Sequence, residues 1–330
     1  MSLVATLSNL FPKCLTVTLF VWTYTVTLIK VNEVSQTTLF VILSLEAVFS
    51  LYTYFKVISI GPGHPMDFKD LQIRDLHEVE LGNELPPEYI SKKSLTVKRD
   101  GRFRVCQTCR HWKPDRCHHC SSCDKCVLKM DHHCPWFADC IGFNNQKYFI
   151  QFLIYTTVYA ITVTNITFFE LYTWFTRKQF EEEIIDLLLL SVWLLGIAVS
   201  ISVTFFTGFS IYQLSKNQTT IEVYSLRRYR EEERVLHGTY LPMSNFNVFD
   251  LGSAKENWKD VMGTTWKEWC LPIAKKRLRR DSNALDDSGL YFAVDKSTTH
   301  NLLESADLQD RLLRRVTPKS SLDVERPLLQ

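Results

Sequence analysis

Cysteine and histidine in residues 106–140 follow one spacing twice, the second copy displaced by 14 positions. Cys106, Cys109, His119 and Cys126 form the first copy; Cys120, Cys123, His133 and Cys140 form the second. Both read C-x2-C-x9-H-x6-C, and they interleave. Three thiolates and one imidazole complete a tetrahedral zinc site with no open position, which is the structural kind. A third copy would begin at Cys134 and need a cysteine at 137, where the chain has Phe137. Cys134 is therefore left inside a metal framework without a metal. It follows Asp131, His132 and His133 and precedes Pro135 and Trp136. A thiol beside a spare imidazole is what nucleophilic catalysis requires.

A cysteine becomes a strong nucleophile at neutral pH when a neighbour lowers its pKa or takes its proton. His132 is the candidate base, and Asp131 is placed to orient and polarise it. His133 belongs to the second zinc set, so the adjacent histidines have different roles. Zinc with four protein ligands cannot activate water, which argues against a metallohydrolase. Taken alone, Cys134 would also suit a third metal site.

The elements that must carry this segment are membrane helices. The chain has 330 residues, a net charge of +2 and 46% hydrophobic residues. Its apolar residues concentrate near 14–30, 38–60, 148–175 and 184–214. Each run approaches or exceeds the ~20 helical residues that span a hydrocarbon core. No signal peptide is expected, because the start is not basic and no small-residue cleavage site follows. The 61–147 segment carries 14 Lys or Arg and the chain from 215 onward carries 19, whereas loop 31–37 has none. Both basic segments and both termini are expected in the cytosol. Short C-x2-C pairs suit metal better than disulfides and agree with that reducing side. The predicted fold is an all-α integral membrane protein with four transmembrane helices. A cytosolic cysteine-rich double zinc-finger domain lies between helices 2 and 3.

The expected divisions are transmembrane helices 1 and 2 in 1–60, a cytosolic linker in 61–103 and the zinc domain in 104–147. Transmembrane helices 3 and 4 follow in 148–214, then a C-terminal element in 215–280 and a mostly disordered tail in 281–330. A charged run up to Arg234 reads as helix. Trp266, Trp269 and the run Lys275–Arg280 suit either an anionic leaflet or a solvated basic linker. About 13 residues separate Cys134 from the third membrane helix, which puts the thiol at the cytosolic membrane surface.

A nucleophile in that position has an acyl chain within reach on one side and phosphates on the other. Apolar, aromatic and Thr-rich helix faces offer a slot for the tail. Arg104, Lys113, Arg116 and Lys129 offer charge for a phosphorylated carrier, or are simply solvated. Fatty acyl-CoA fits both features. Nucleic acid is not expected, given weak net charge, membrane anchoring and no basic–aromatic interleaving.

Asp131-His132-His133-Cys134, inside the doubled cysteine pattern and between the second and third of four membrane helices, resembles the DHHC protein S-acyltransferases (palmitoyltransferases). That resemblance implies acyl transfer through Cys134, with His132 as base and Asp131 polarising it. It further implies two structural zinc ions and palmitoyl-CoA, or another long-chain acyl-CoA, as substrate. Arg104, Lys113, Arg116 and His118 resemble the family's acyl-CoA headgroup contacts. Trp136, Phe149, Phe152 and Tyr159 align with residues lining its acyl cavity. The last three, 3, 7 and 10 positions apart, share a helix face, a spacing that plain packing satisfies equally. Thr219-Thr220-Ile221-Glu222 matches the TTxE motif expected beneath the site, and Asn257, counted with the acyl-CoA site, matches a tail element that buttresses it.

Three positions depart from the family: Gly61-Pro62-Gly63 replaces Asp-Pro-Gly, Asp139 replaces Asn, and Cys117 is an extra thiol. Trp136-Phe137-Ala138-Asp139-Cys140 and the chain length resemble a fungal vacuolar member that acylates an armadillo-repeat vacuole protein. The implied partner is thus a cysteine-bearing peripheral membrane protein. The implied location is an endomembrane, the vacuole favoured over Golgi or endoplasmic reticulum. Competing functions are a non-catalytic membrane-anchored zinc adaptor and a thioesterase using the same nucleophile.

Overall fold

The computed structural model describes residues 3–91, 94–96, 102–177, 185–225, 227, 247–275 and 288–294. The charged run to Arg234, residues 276–280 of the basic run and most of the tail lie outside them. Four helices are long and apolar enough to cross a membrane, consistent with a multi-pass membrane protein: α1 (Leu3–Lys30), α2 (Gln36–Ile60), α5 (Gln146–Arg177) and α6 (Leu187–Ser215). Two short helices between them are α3 (Leu76–Leu81) and α4 (Glu88–Ser91). Helix α1 starts eleven residues before the apolar run, passing through Pro12. Pro12 lacks only its own N–H, and the Thr16 hydroxyl donates back to the Pro12 carbonyl at 2.9 Å. Helix α6 starts at Leu187 because Asp186 caps it, accepting from the amides of Leu188 and Leu189. Asp186 also pairs with Lys30 at 2.7 Å, tying the end of α1 to the start of α6.

The cysteine-rich block folds as three antiparallel hairpins. They are β1 (Val105–Cys106) with β2 (His111–Trp112), β3 (His118–Cys120) with β4 (Lys125–Val127), and β5 (His132–Cys134) with β6 (Asp139–Ile141). The 14-residue displacement survives as geometry. Arg110, Asp124 and Ala138 turn the three hairpins with φ of 52°, 51° and 49°. His119 faces Cys126 across the second hairpin as His133 faces Cys140 across the third. Two clusters gather the two copies of the pattern, each with its ligand atoms within 4.8 Å of one another. The first joins hairpins one and two, the second joins hairpins two and three.

The connection to the membrane is a set of buried backbone contacts. Asn145 is fully buried; its side chain accepts from the Gly142 amide and donates to the carbonyls of Val57 and Cys140. It thereby links the end of α2, strand β6 and the start of α5. Leu128 donates to the Gly63 carbonyl and Asn144 to that of Pro62.

Described residues of segment 61–103 form a packed layer. Leu71, Ile73, Val79 and Ile90 bury against Trp112, Leu128 and Leu290. Residues 288–294, the described part of the segment read as a mostly disordered tail, dock on this layer through Leu290. The partners are too far apart along the chain to leave a local periodic signal. Helices α7 (Ala254–Met262) and α8 (Trp266–Cys270) lie against the membrane bundle. Gln151 of α5 donates to the carbonyls of Glu268, Trp269 and Leu271, and Tyr155 to that of Cys270.

A Cβ at Gly142 would stand 2.7 Å from Val127 Cγ1, 2.8 Å from the Leu128 carbonyl oxygen and 3.0 Å from Pro62 Cβ. Gly142→Ala should destabilise this junction by about 1–3 kcal/mol, as overpacking does. Scanning fluorimetry in detergent would register it as a lowered Tm; an unchanged Tm would mean that the junction relaxes freely.

Candidate active site

The third hairpin repeats the knuckle without its metal. Cys134 occupies the place of Cys106 and Cys120, and Phe137 the place of the second cysteine. The Phe137 ring is buried and stacks on Tyr54 at 4.9 Å, with Phe152 edge-on at 5.2 Å and Phe149 at 5.9 Å. Tyr54, fully buried on α2, donates its hydroxyl to the Trp136 carbonyl at 2.8 Å. Aromatic packing and one hydrogen bond thus hold the loop that metal would otherwise hold.

His132 Nδ1 donates to Asp131 Oδ2 at 2.8 Å, which leaves Nε2 as the basic nitrogen of the neutral ring. Nε2 is buried and has no hydrogen-bond partner among the described residues. Burial pushes the imidazole down, but the Asp131 carboxylate and the Cys134 sulfur outweigh it and raise it to about 9. Burial likewise works against ionised Asp131. Its bond to His132 and the Thr220 amide, 2.6 Å from Oδ1, hold it below the usual carboxylate value. Phe149 and Phe206 stand edge-on to the His132 ring at 5.4 and 6.1 Å.

Cys134 and His132 line a cavity of about 600 Å³, walled by α1, α5, α6 and the third hairpin. That volume lies in the range of small-molecule sites. All four residues matched to an acyl cavity line it: Trp136, 54% exposed, and buried Phe149, Phe152 and Tyr159. Ten residues of α5 separate Phe149 from Tyr159, about 15 Å of depth. Tyr159 meets the Thr23 hydroxyl at 3.0 Å and the Phe20 ring at 5.0 Å. Sequence reasoning missed Tyr54, Phe137 as a wall, Thr23 and Phe206. Nothing in their local spacing separates them from ordinary membrane-helix residues.

The residues matched to a headgroup site divide. Arg104 and Lys113 are half-buried and joined through backbone, the Lys113 amide donating to the Arg104 carbonyl at 2.8 Å. Burial, with Arg104 and Lys113 beside it, depresses His118 to about 4. Arg116 does not belong with them. It is 2% exposed and its guanidinium is spent internally, on Glu222 at 2.7 and 2.9 Å and on Asn217 at 2.9 Å. A buried guanidinium demands such pairing, so the site's floor, not a headgroup, consumes it. Asn257 is also consumed: it accepts from the Leu251 amide and donates to Ser215 and Asp250. Both donations of its amide stay within the chain and leave none for a ligand.

Both metal clusters suit a tetrahedral thiophilic ion. Nδ1 of His119 lies 3.6, 3.3 and 3.9 Å from the sulfurs of Cys106, Cys109 and Cys126. Nδ1 of His133 lies 3.7, 3.3 and 3.7 Å from those of Cys120, Cys123 and Cys140. Tetrahedral bonds of ~2.0–2.3 Å produce edges of about this length. Asp124 lies 3.6 Å from Nε2 of His119, the place of a ligand-orienting carboxylate.

Residues 100–227 match the family model described as DHHC palmitoyltransferase. Palmitoyltransferase PFA3 of Saccharomyces cerevisiae is 54% identical over 97% of this chain and 96% of its own length. The protein of that name in Candida glabrata is 51% identical over 99% of both. Human palmitoyltransferase ZDHHC2 is 33% identical over 68% of this chain and 59% of its own. Identity at that level, over the whole length and around a cysteine set in this geometry, makes the chain a member of the DHHC palmitoyltransferase family, a protein S-acyltransferase.

Proposed function

We propose that Cys134 is the covalent acyl carrier, that palmitoyl-CoA is the donor and that the two cysteine–histidine clusters hold structural zinc. The observation that carries this reading is the Cys134 thiol in the wall of an apolar cavity, with the Asp131–His132 pair beside it. With His132 raised to about 9, the Cys134 proton rests on His132 Nε2, and the thiolate sulfur attacks the thioester carbonyl. The carbon–sulfur bond to CoA breaks, and the leaving thiolate takes the proton from His132. A second thiol, on a protein, then loses its proton to His132 and attacks the acyl-Cys134 carbonyl, and Cys134 leaves and is reprotonated. Asp131 holds the ring in the tautomer that permits each transfer. Zinc takes no part in these steps; its coordination is filled by protein, and it supplies the rigidity of the hairpins.

Arg104, Lys113 and His118 form the surface that receives the CoA phosphates; the half-buried Arg104 and Lys113, both acting on His118, support this. Phe149, Phe152, Trp136 and Tyr159 hold the chain, and the Thr23–Tyr159 contact closes its far end. The 14 and 19 cations of the two large loops support a cytosolic site and cytosolic termini. The acceptor is a cysteine-bearing peripheral membrane protein. An armadillo-repeat vacuole protein at the vacuole membrane is favoured on sequence likeness to a fungal vacuolar member.

Incubated in detergent with clickable palmitoyl-CoA, the wild type should acquire hydroxylamine-sensitive label and Cys134→Ala none, at equal zinc content. His132→Ala should form acyl-enzyme ~10²–10⁴-fold more slowly, the range for loss of a general base. Label persisting on Cys134→Ala would refute the assignment of the nucleophile. For the metal, elemental analysis should find two zinc ions per wild-type chain and a deficit in Cys123→Ala, with a lowered Tm. Retention of both ions in that variant would overturn the ligand set. For the cavity, Tyr159→Ala should shift the preferred donor from palmitoyl-CoA towards longer acyl chains in competition assays. An unchanged preference would place the end of the chain elsewhere.

A further inference from the structure

Residues Ser288–Val294 pack against the cysteine-rich layer although they follow the last membrane helix by more than seventy positions. Leu290 is 1% exposed and packs with Leu71, Ile73, Trp112 and Leu128. Gly289 has φ of +78°, and a Cβ there would stand 2.7 Å from the Phe143 ring. The turn therefore requires glycine to bring the next residues in. Phe292 then lies 6.0 Å from the Phe143 ring and 5.8 Å from the Phe249 ring.

Phe292 also faces the Arg116 guanidinium, 5.1 Å from its centroid; the Phe249 ring lies 4.5 Å from the same group. Two aromatic faces on one buried cation are attractive and exclude water from it. From Arg116 a chain of short polar contacts leads to the nucleophile. Arg116 holds both carboxylate oxygens of Glu222. Glu222 Oε2 accepts from the Thr219 amide at 2.9 Å, which sets the turn at 219–222. The next amide, that of Thr220, donates to Asp131 Oδ1. The other oxygen of Asp131 holds His132.

We propose that the Ser288–Val294 segment is a strap that positions the acyl-transfer site, with Phe292 acting on Asp131 through Arg116 and Glu222. This rests on the roles assigned above to Cys134, His132 and Asp131. No described residue of the strap lines the acyl cavity. Loss of Phe292 therefore acts on the rate of acyl transfer and leaves acyl-CoA affinity intact. With one aromatic face gone, the guanidinium admits water and loosens Glu222. The Thr220 amide then drifts from Asp131, and His132 loses its orientation, to which transfer rates are steeply sensitive.

The test uses full-length protein in detergent and single-turnover acylation of Cys134 across palmitoyl-CoA concentrations. Phe292→Ala should lower the saturating rate about tenfold, with the half-saturating concentration unchanged and both zinc ions retained. Phe292→Tyr keeps the ring and should restore the rate; Phe292→Leu keeps bulk alone and should fall between. In a Glu222→Gln background Phe292→Ala should have little further effect, because both act on one relay. If Phe292→Ala loses zinc, Phe292→Leu decides: slower transfer with zinc intact supports the strap, and a wild-type rate overturns it. A wild-type rate in Phe292→Ala, a change confined to the half-saturating concentration, or full additivity with Glu222→Gln would also overturn it. An unlabelled wild type would overturn the Cys134 assignment and the strap with it. A labelled wild type matched by Phe292→Ala overturns the strap alone.

Discussion

The proposed role of Cys134, reaction with a lipid thioester, needs a thiol that no flexible loop carries, and Cys134 sits on a hairpin whose backbone is held from both sides. On one side is the second cysteine–histidine cluster, which shares the hairpin through His133 and Cys140. On the other side is the aromatic stack of Phe137 on Tyr54, Phe149 and Phe152. The first anchors the strands to the cysteine-rich framework and the second anchors the turn to the membrane bundle. Exchange of a knuckle cysteine for Phe137 achieves two things together. It frees Cys134 from coordination, and it supplies the apolar weight that fastens the turn to the bundle.

Burial of charge is the second constraint. Asp131 must stay ionised in a water-poor place to orient His132, and Arg116 must stay paired beneath it. The chain meets both demands by converging elements from distant segments. Glu222 and Asn217 follow α6, Phe249 precedes α7, and Phe292 comes from the far tail. Each neutralises, shields or orients a group that the cysteine-rich block cannot satisfy alone. The segments after α6 are therefore structural parts of the site, as Asn257 shows by its three internal hydrogen bonds.

The cavity has a different chemistry. Its walls are almost wholly apolar; Cys134 and His132 line it on the hairpin, and Thr23 meets Tyr159 between α1 and α5. An acyl chain gains from such walls only by leaving water or lipid for a space of fitting shape, so length is read by where the space stops. The close approach of α5 and α6 at Gly196, where a Cβ would meet the Thr164 hydroxyl at 2.6 Å, narrows the bundle beyond that point.

The two cysteine–histidine clusters, the thiol next to an imidazole and the membrane helices were legible in the sequence because each is a local pattern. Spacing of cysteines, a run of apolar residues and an imidazole next to a thiol need no knowledge of distant neighbours. Tertiary structure alone decided the matters that depend on long-range pairs. Arg116 has the residue type of a phosphate contact, but Glu222, 106 positions away, claims it. Phe149, Phe152 and Tyr159 share a helix face that packing would have served equally. Only the placement of α1 and α6 opened a cavity in front of them. Tyr54 and Trp136, 82 positions apart, meet because α2 passes beside the third hairpin. The segment around Phe292 is a five-residue apolar run, Leu290–Val294, too short to show by itself which layer it packs on. It becomes ordered because Leu290 and Phe292 find a hydrophobic layer and a buried cation that the rest of the chain had already assembled.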